Sequence, residues 1–173
     1  ASVALENARL YEAQRREADH LKALLEFTGA ISEAATPDEI GAETVRAAAR
    51  LLGGKKCALW LEDERNDFRI ASHTDYDADP KLTAMLSISM PGDAIRAAVD
   101  NRAEPFLVTT DEAESFVPAP PGLTWPDLAI APLLNDGKLE GFLAVREPTL
   151  DSEHTIEEIL RLLRGISDQA AVA

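Results

Sequence analysis

An α+β domain, with helices packed on a central antiparallel sheet of five to six strands, is the architecture that the sequence predicts. Two pairs of short apolar stretches carry that reading, residues 57–61 with 68–74 and residues 128–134 with 139–146, each pair joined by a few polar residues as in a hairpin. Helical patterns stand before the first pair and after the second. The third observation is size: 173 residues, 46% of them hydrophobic, suffice for one domain with its own core and one additional helix.

Residues 1–28 hold no Pro or Gly, few β-branched residues and many Ala, Leu, Glu and Arg, which predicts one long N-terminal helix. A heptad runs through Val3, Asn7, Leu10, Gln14, Glu17, Leu21, Leu24, Thr28 and Ile31, with a polar middle. Two readings stay open: a partial dimer seam, or Leu21, Leu24 and Leu25 packing on the domain behind a solvated linker. The next helix opens at Thr36-Pro-Asp-Glu39, where Thr36 caps, Pro37 suits the first helical position and Glu39 completes a capping box; it ends at Gly53-Gly54. After the first hairpin, residues 75–80 read as a loop and residues 82–90 have no clear period. Asp93 is expected to cap a short helix through Ile95 and Val99 that stops before Pro105, and residues 106–109 a short strand. The stretch 110–126, with Pro118, Pro120, Pro121, Gly122 and Pro126, is too proline-rich for a regular element and reads as the longest loop. Its apolar residues Phe116, Val117, Leu123 and Trp125 favour an ordered lid over a surface excursion. Asn135-Asp-Gly137 supplies residues that tolerate positive φ and predicts a tight hairpin turn. Asp151 or Ser152 is expected to cap the last helix, with Glu153 in its first turn and Ile156, Ile159, Leu160, Leu163 and Ile166 on its apolar face.

Charge and composition narrow the function. With 31 acidic against 17 basic side chains the formal charge is −14, and such a surface repels nucleic acid. The longest apolar run, residues 128–134, is interrupted by Pro132 and is far short of the roughly 20 residues that a membrane-spanning helix needs. No secretory signal pattern is present, so a cytoplasmic location is expected. The single Cys57 cannot form an intrachain disulfide, and three scattered histidines offer no local metal cluster.

Several segments together resemble a GAF domain, the small sensory module of bacterial signalling proteins and some phosphodiesterases. The resemblance covers about residues 22–173. It rests on Cys57-Ala-Leu-Trp-Leu-Glu-Asp63 after a glycine-ended helix, on Gly92 before a short helix, and on Pro105-Phe-Leu-Val-Thr-Thr-Asp111. The most specific piece is Ala131-Pro-Leu-Leu-Asn-Asp-Gly-Lys-Leu-Glu-Gly141-Phe-Leu-Ala-Val145, similar to the family's last hairpin. It implies a GAF/profilin-like fold, tempers the objection that Pro132 raises to a central strand, and implies a sensory or regulatory role. Residues 1–21, with Leu5-Glu-Asn-Ala-Arg-Leu10, look like the exit helix of an upstream domain, and the ending Ile166-Ser-Asp-Gln-Ala-Ala-Val-Ala173 looks like a helix that continues. The expected whole is a signal-transduction protein with an output domain elsewhere, such as a kinase, cyclase or phosphatase.

Catalytic constellations are missing from the sequence. No phosphate loop, dinucleotide fingerprint, zincin motif or nucleophile elbow occurs, and Cys57 lies in an apolar strand where an inert thiol is expected. Methionine sulfoxide reductases of GAF type use several cysteines, which this chain lacks, and His20 lacks the flanking residues of a kinase phospho-acceptor. No catalysis is expected of this chain. The resemblance implies instead a pocket between one sheet face and residues 73–99 and 110–126. Candidate lining groups are Trp60, His73, Met90, Arg96, Phe106, Thr109 and Trp125. Each aromatic has core packing as its plain alternative. Arg96 meets either an anionic ligand or one of many nearby acids, and His73 either ligates a haem or fills space. Residues 146–153 lack the Asn-Lys pair and Phe of cyclic-nucleotide GAF domains, and Cys57 stands in the first strand rather than in a bilin-attaching loop. No cofactor is named by these residues. The partners expected are a small molecule and a second copy of the chain, the copies joined through the long helices; a ligand-free structural dimerisation module is the alternative.

Overall fold

Both faces of the central strands are apolar, and this determines what surrounds them. In the computed structural model, which describes residues 2–99, 102–150 and 154–172, six strands form one antiparallel sheet: β1 (Cys57–Glu62), β2 (Phe68–His73), β3 (Ser89–Met90), β4 (Phe106–Val108), β5 (Leu128–Asn135) and β6 (Lys138–Arg146). Their order is β3-β2-β1-β6-β5-β4, so the two predicted hairpins lie side by side and β1 pairs with β6. Alternation along β1 sends Cys57, Leu59 and Leu61 to one face and Ala58 and Trp60 to the other. On β6, Leu143 and Val145 join the first set, and Phe142 and Ala144 the second.

Three helices cover the first face: α1 (Ser2–Glu33), α2 (Pro37–Leu51) and α6 (Ile156–Val172). At α2 the Thr36 hydroxyl accepts from the Glu39 N–H at 3.2 Å, and the Glu39 carboxylate accepts from the Thr36 N–H at 3.3 Å, the expected capping box. Helix α1 runs past residue 28, because Gly29 does not break a helix whose next turn is anchored by buried Phe27 and Ile31. The predicted packing of Leu21 and Leu25 is corrected: they are 58% and 72% exposed, and only Leu24 of the three packs inward, over Gly165 of α6. The heptad therefore divides, with Leu24 and Ile31 turned to their own domain and Val3, Leu10 and Leu21 exposed. The expected cap of the last helix, Asp151 or Ser152, and the first-turn Glu153 lie outside the described residues; the helix begins at Ile156, where the Thr155 hydroxyl accepts from the Glu158 N–H at 3.2 Å.

The second face is covered by shorter pieces: α3 (Pro80–Thr83), a 3₁₀ turn (Ala84–Ser87), α4 (Gly92–Val99) and α5 (Thr110–Phe116), with the loop at 117–127. Two expectations fail here. Helix α4 starts at Gly92, so Asp93 lies in its first turn instead of capping it, and the Gly92 N–H donates to Asp67 Oδ1 across the fold at 3.0 Å. The stretch 110–126 is not wholly irregular: Thr109 and Glu112 form a second capping box and start α5, while the prolines act only after its end. The Asn135-Asp-Gly137 turn does form, with φ of 49° at Asp136 and 76° at Gly137, the positive pair that a two-residue hairpin of this type requires.

Gly92 and Gly29 give opposed expectations. A Cβ on Gly92 would lie 1.8 Å from the Asn66 carbonyl oxygen, whereas one on Gly29 meets nothing within 4 Å. Gly92→Ala should cost about 2 kcal/mol or more, lowering the melting temperature by roughly 4–8 °C. Gly29→Ala should raise it by about 1–3 °C through helix propensity. Thermal unfolding by circular dichroism checks both signs.

Candidate ligand pocket

Between the second sheet face and its covering pieces the packing is incomplete. Trp60 of β1, Phe142 and Ala144 of β6, Ile130 of β5 and Phe106 of β4 form the floor of a cavity of about 330 Å³. Ile95 and Val99 of α4 form one wall; Ala113 of α5, Val117 and Trp125 form the other; Tyr76, Met85 and Met90 close the end. The volume is at the lower end of the range for small-molecule sites, about 300–1,000 Å³, and the lining is mainly apolar with a few polar groups, as such sites require.

Each wall is held by specific bonds. Besides the Gly92–Asp67 bond, Arg96 of α4 pairs with Glu62 of β1 at 2.6 Å, donates to the Asn66 carbonyl at 3.3 Å and lies over the Phe68 ring at 5.5 Å. The loop wall hangs on the buried Trp125 indole, whose Nε1 donates to the Val117 carbonyl at 2.8 Å. Asp127 ties the loop down at its base, accepting from the Thr110 N–H at 3.1 Å through Oδ1 and from the Glu147 N–H at 2.8 Å through its carbonyl.

Of the seven residues singled out in the sequence, Trp60, Met90, Phe106 and Trp125 line the cavity. The other three stand outside its lining. Arg96 is engaged by Glu62, the ordinary outcome in an acid-rich chain. Thr109 serves as the cap of α5. His73, at the end of β2, has its ring 5.8 Å from that of Tyr76, and its buried Nδ1 has no hydrogen-bond partner among the described residues. Sequence reasoning missed Tyr76, Arg102, Glu112 and Arg146, which supply much of the cavity's polarity. Strand alternation contained the signal for Arg146, two residues beyond Ala144 and four beyond Phe142 on the same side of β6.

Cys57 faces the helical layer, on the other side of the sheet from the cavity, and burial pushes its thiol up to about 12. That placement does not suit a thioether tether to a molecule in the cavity. Tyr76 is also buried and its phenol is pushed up to about 12, with Arg146 acting in the opposite sense. No group of three or more His, Cys, Asp or Glu side chains that could hold a metal occurs among the described residues. Among those residues, no helix is long and apolar enough to cross a membrane.

A family profile described as GAF domain matches residues 36–173. The chain belongs to the GAF domain family. Among solved structures, the fold is similar to the GAF domain of an Acinetobacter phosphoenolpyruvate-protein phosphotransferase, with 17% identity, a TM-score of 0.68, and coverage of 88% of this chain and 90% of that one. It is similar to residues 122 to 287 of a methyl-accepting chemotaxis protein, with 14% identity, a TM-score of 0.65 and coverage of 87% and 94%. A third likeness is to the phycocyanobilin-bound GAF domain of a cyanobacterial phytochrome, with 18% identity, a TM-score of 0.63 and coverage of 88% and 92%. At these identities the likenesses establish a shared fold. No curated protein matches the chain at a significant level.

The two buried acids make alkaline stability a test of this GAF structure. A group whose pKa is higher in the folded than in the unfolded chain contributes stability that is full below the unfolded value and is lost as pH rises from that value toward the folded one. For Cys57 the window runs from 9.0 to about 12 and for Tyr76 from 10.0 to about 12. The unfolding free energy should therefore fall between pH 8.5 and 10.5, and both Cys57→Ala and Tyr76→Phe should flatten that fall. Urea titrations at the two pH values measure it.

Proposed function

We propose that this GAF domain is a non-catalytic sensory module that takes a small molecule into the cavity and passes its occupancy to the flanking helices, and so to an output domain of a bacterial signal-transduction protein. The observation that carries this reading is the cavity itself, apolar, of ligand size and walled by elements held through a few discrete bonds. Coupling has a short path. The strands that floor the cavity present their other side chains to α1, α2 and α6, so a shift of Trp60 or Phe142 reaches Leu59 and Leu143 through the same backbone. On this reading residues 1–21 are a linker, residues 22–173 the sensing unit, and the protein works in the cytoplasm.

A second reading, a ligand-free dimerisation module, is favoured by one feature of α1. Val3, Leu5, Leu10, Tyr11, Leu21 and Leu25 are large, apolar and more than half exposed, which suits contact with the same helix of a second copy. The two readings are compatible, and native mass spectrometry with an absorption spectrum separates them. The sensing reading expects a bound small molecule, or uptake of one from metabolite mixtures with a rise in melting temperature. A chain that stays empty and unresponsive throughout would sink it. If α1 is the dimer contact, Leu10→Asp with Leu21→Asp should lower the dimer population severalfold without lowering the melting temperature of the domain, read by sedimentation and thermal unfolding.

A further inference from the structure

Only two arginines are half-buried among the described residues, Arg96 and Arg146. They are in opposite electrostatic situations. Arg96 has Glu62 at 2.6 Å, whereas Arg146 has no carboxylate within ion-pair distance among the described residues, in a chain where acids outnumber bases 31 to 17. Among the described residues the Arg146 guanidinium approaches Met85 Sδ at 3.8 Å and lies near the Tyr76 phenol, neither of which is a carboxylate partner. It lines the apolar cavity and also the cleft that adjoins it under the 122–126 loop, which holds Lys81 together with Glu147 and with Asp79, the latter paired with Lys56 at 3.4 Å. A half-buried guanidinium with no paired carboxylate is available to an anion, most strongly through a bidentate pair. Glu112, the carboxylate that lines the cavity, accepts from the Thr109 N–H at 3.1 Å as part of its capping box, which occupies one of its oxygens at the helix end.

Resting on the sensing reading above, we infer that the cavity selects a small amphiphile with one anionic end, a carboxylate or phosphate, and a compact aromatic or aliphatic body. Arg146 receives the anion, the neutral Tyr76 hydroxyl stands beside it as a second donor, and the body lies on Trp60, Phe106 and Phe142. Selectivity for the anion comes from Arg146, and most of the binding free energy comes from the apolar floor.

The probes are 2-naphthoate, 2-naphthyl phosphate and the neutral 2-naphthamide, titrated calorimetrically into the full chain. At least one of the two anions should bind tenfold or more tightly than the amide, and Arg146→Met should remove that preference while leaving amide affinity within about twofold. Arg65→Ala, at an exposed arginine outside the cavity lining, should leave the preference intact. Equal affinity of amide and anions for the unaltered protein would overturn the inference without touching the sensing reading, and this comparison needs no variant to fold. A preference that survives in Arg146→Met would move the anion site elsewhere and overturn it as well. Binding of none of the three also overturns it, whereas the sensing reading is decided separately by the bound mass and metabolite response of the native protein.

Discussion

The antiparallel register of β1 on β6 is the constraint from which the rest follows. Trp60 opposite Phe142 and Leu59 opposite Leu143 put an aromatic pair on one face of the sheet and an aliphatic pair on the other, in adjacent rungs. Slipping the register by one residue would exchange the two sets and drive Trp60 into the space that α2 and α6 fill. The backbones themselves lock the register, since Gly141 lies opposite Leu61 so closely that a Cβ there would be 2.5 Å from the Trp60 carbonyl oxygen. One pair of strands thus separates a filled core, which holds the helices together, from a second core that is left partly open.

That openness comes from how the second face is covered. Helices of 32, 15 and 17 residues close the first face, whereas α3, α4 and α5 are 4, 8 and 7 residues long and cannot tile a six-stranded sheet. They are positioned by polar contacts at their ends: Asp67 and Glu62 for α4, the Thr109 box and Asp127 for α5, Asp79 for α3. Such fixings set where a wall stands without filling the space behind it. The ring of Trp60, stacked on Phe142 at 5.9 Å, is therefore covered by the sheet's own residues and by the walls at a distance.

The sequence was most legible where one residue type has one mechanical use. Thr36-Pro-Asp-Glu39 and Asn135-Asp-Gly137 formed what their chemistry demands, and the two apolar pairs became the central hairpins. It was least legible where two signals competed. The prolines after residue 117 masked the Thr109–Glu112 box, although the box lies wholly before them. Leu25 has the same side chain as Leu24 and differs only in which side of α1 it occupies, a difference that needs the position of Gly165 to resolve. Arg96 drew attention as a charge on a short helix, while Arg146 passed unnoticed at a strand end; distinguishing the two required knowing that Glu62 is folded back against the first and that, among the described residues, no carboxylate comes within ion-pair distance of the second.

The divided stripe of α1 has a mechanical consequence. Leu24 on Gly165 and the Thr28–Gln169 bond at 2.6 Å clamp the helix to α6, and the Arg16–Glu158 pair at 3.8 Å is, among the described residues, its most N-terminal ion pair to that helix. The residues before Arg16 extend about 21 Å as a rigid rod at about 1.5 Å per residue. Pivoting at the clamp by about 10° would carry the tip through about 4 Å, comparable to most of one helical turn. A side-chain adjustment of less than an ångström where α1 meets α6 would thereby become a displacement of several ångströms at the exposed N-terminal turns of the helix.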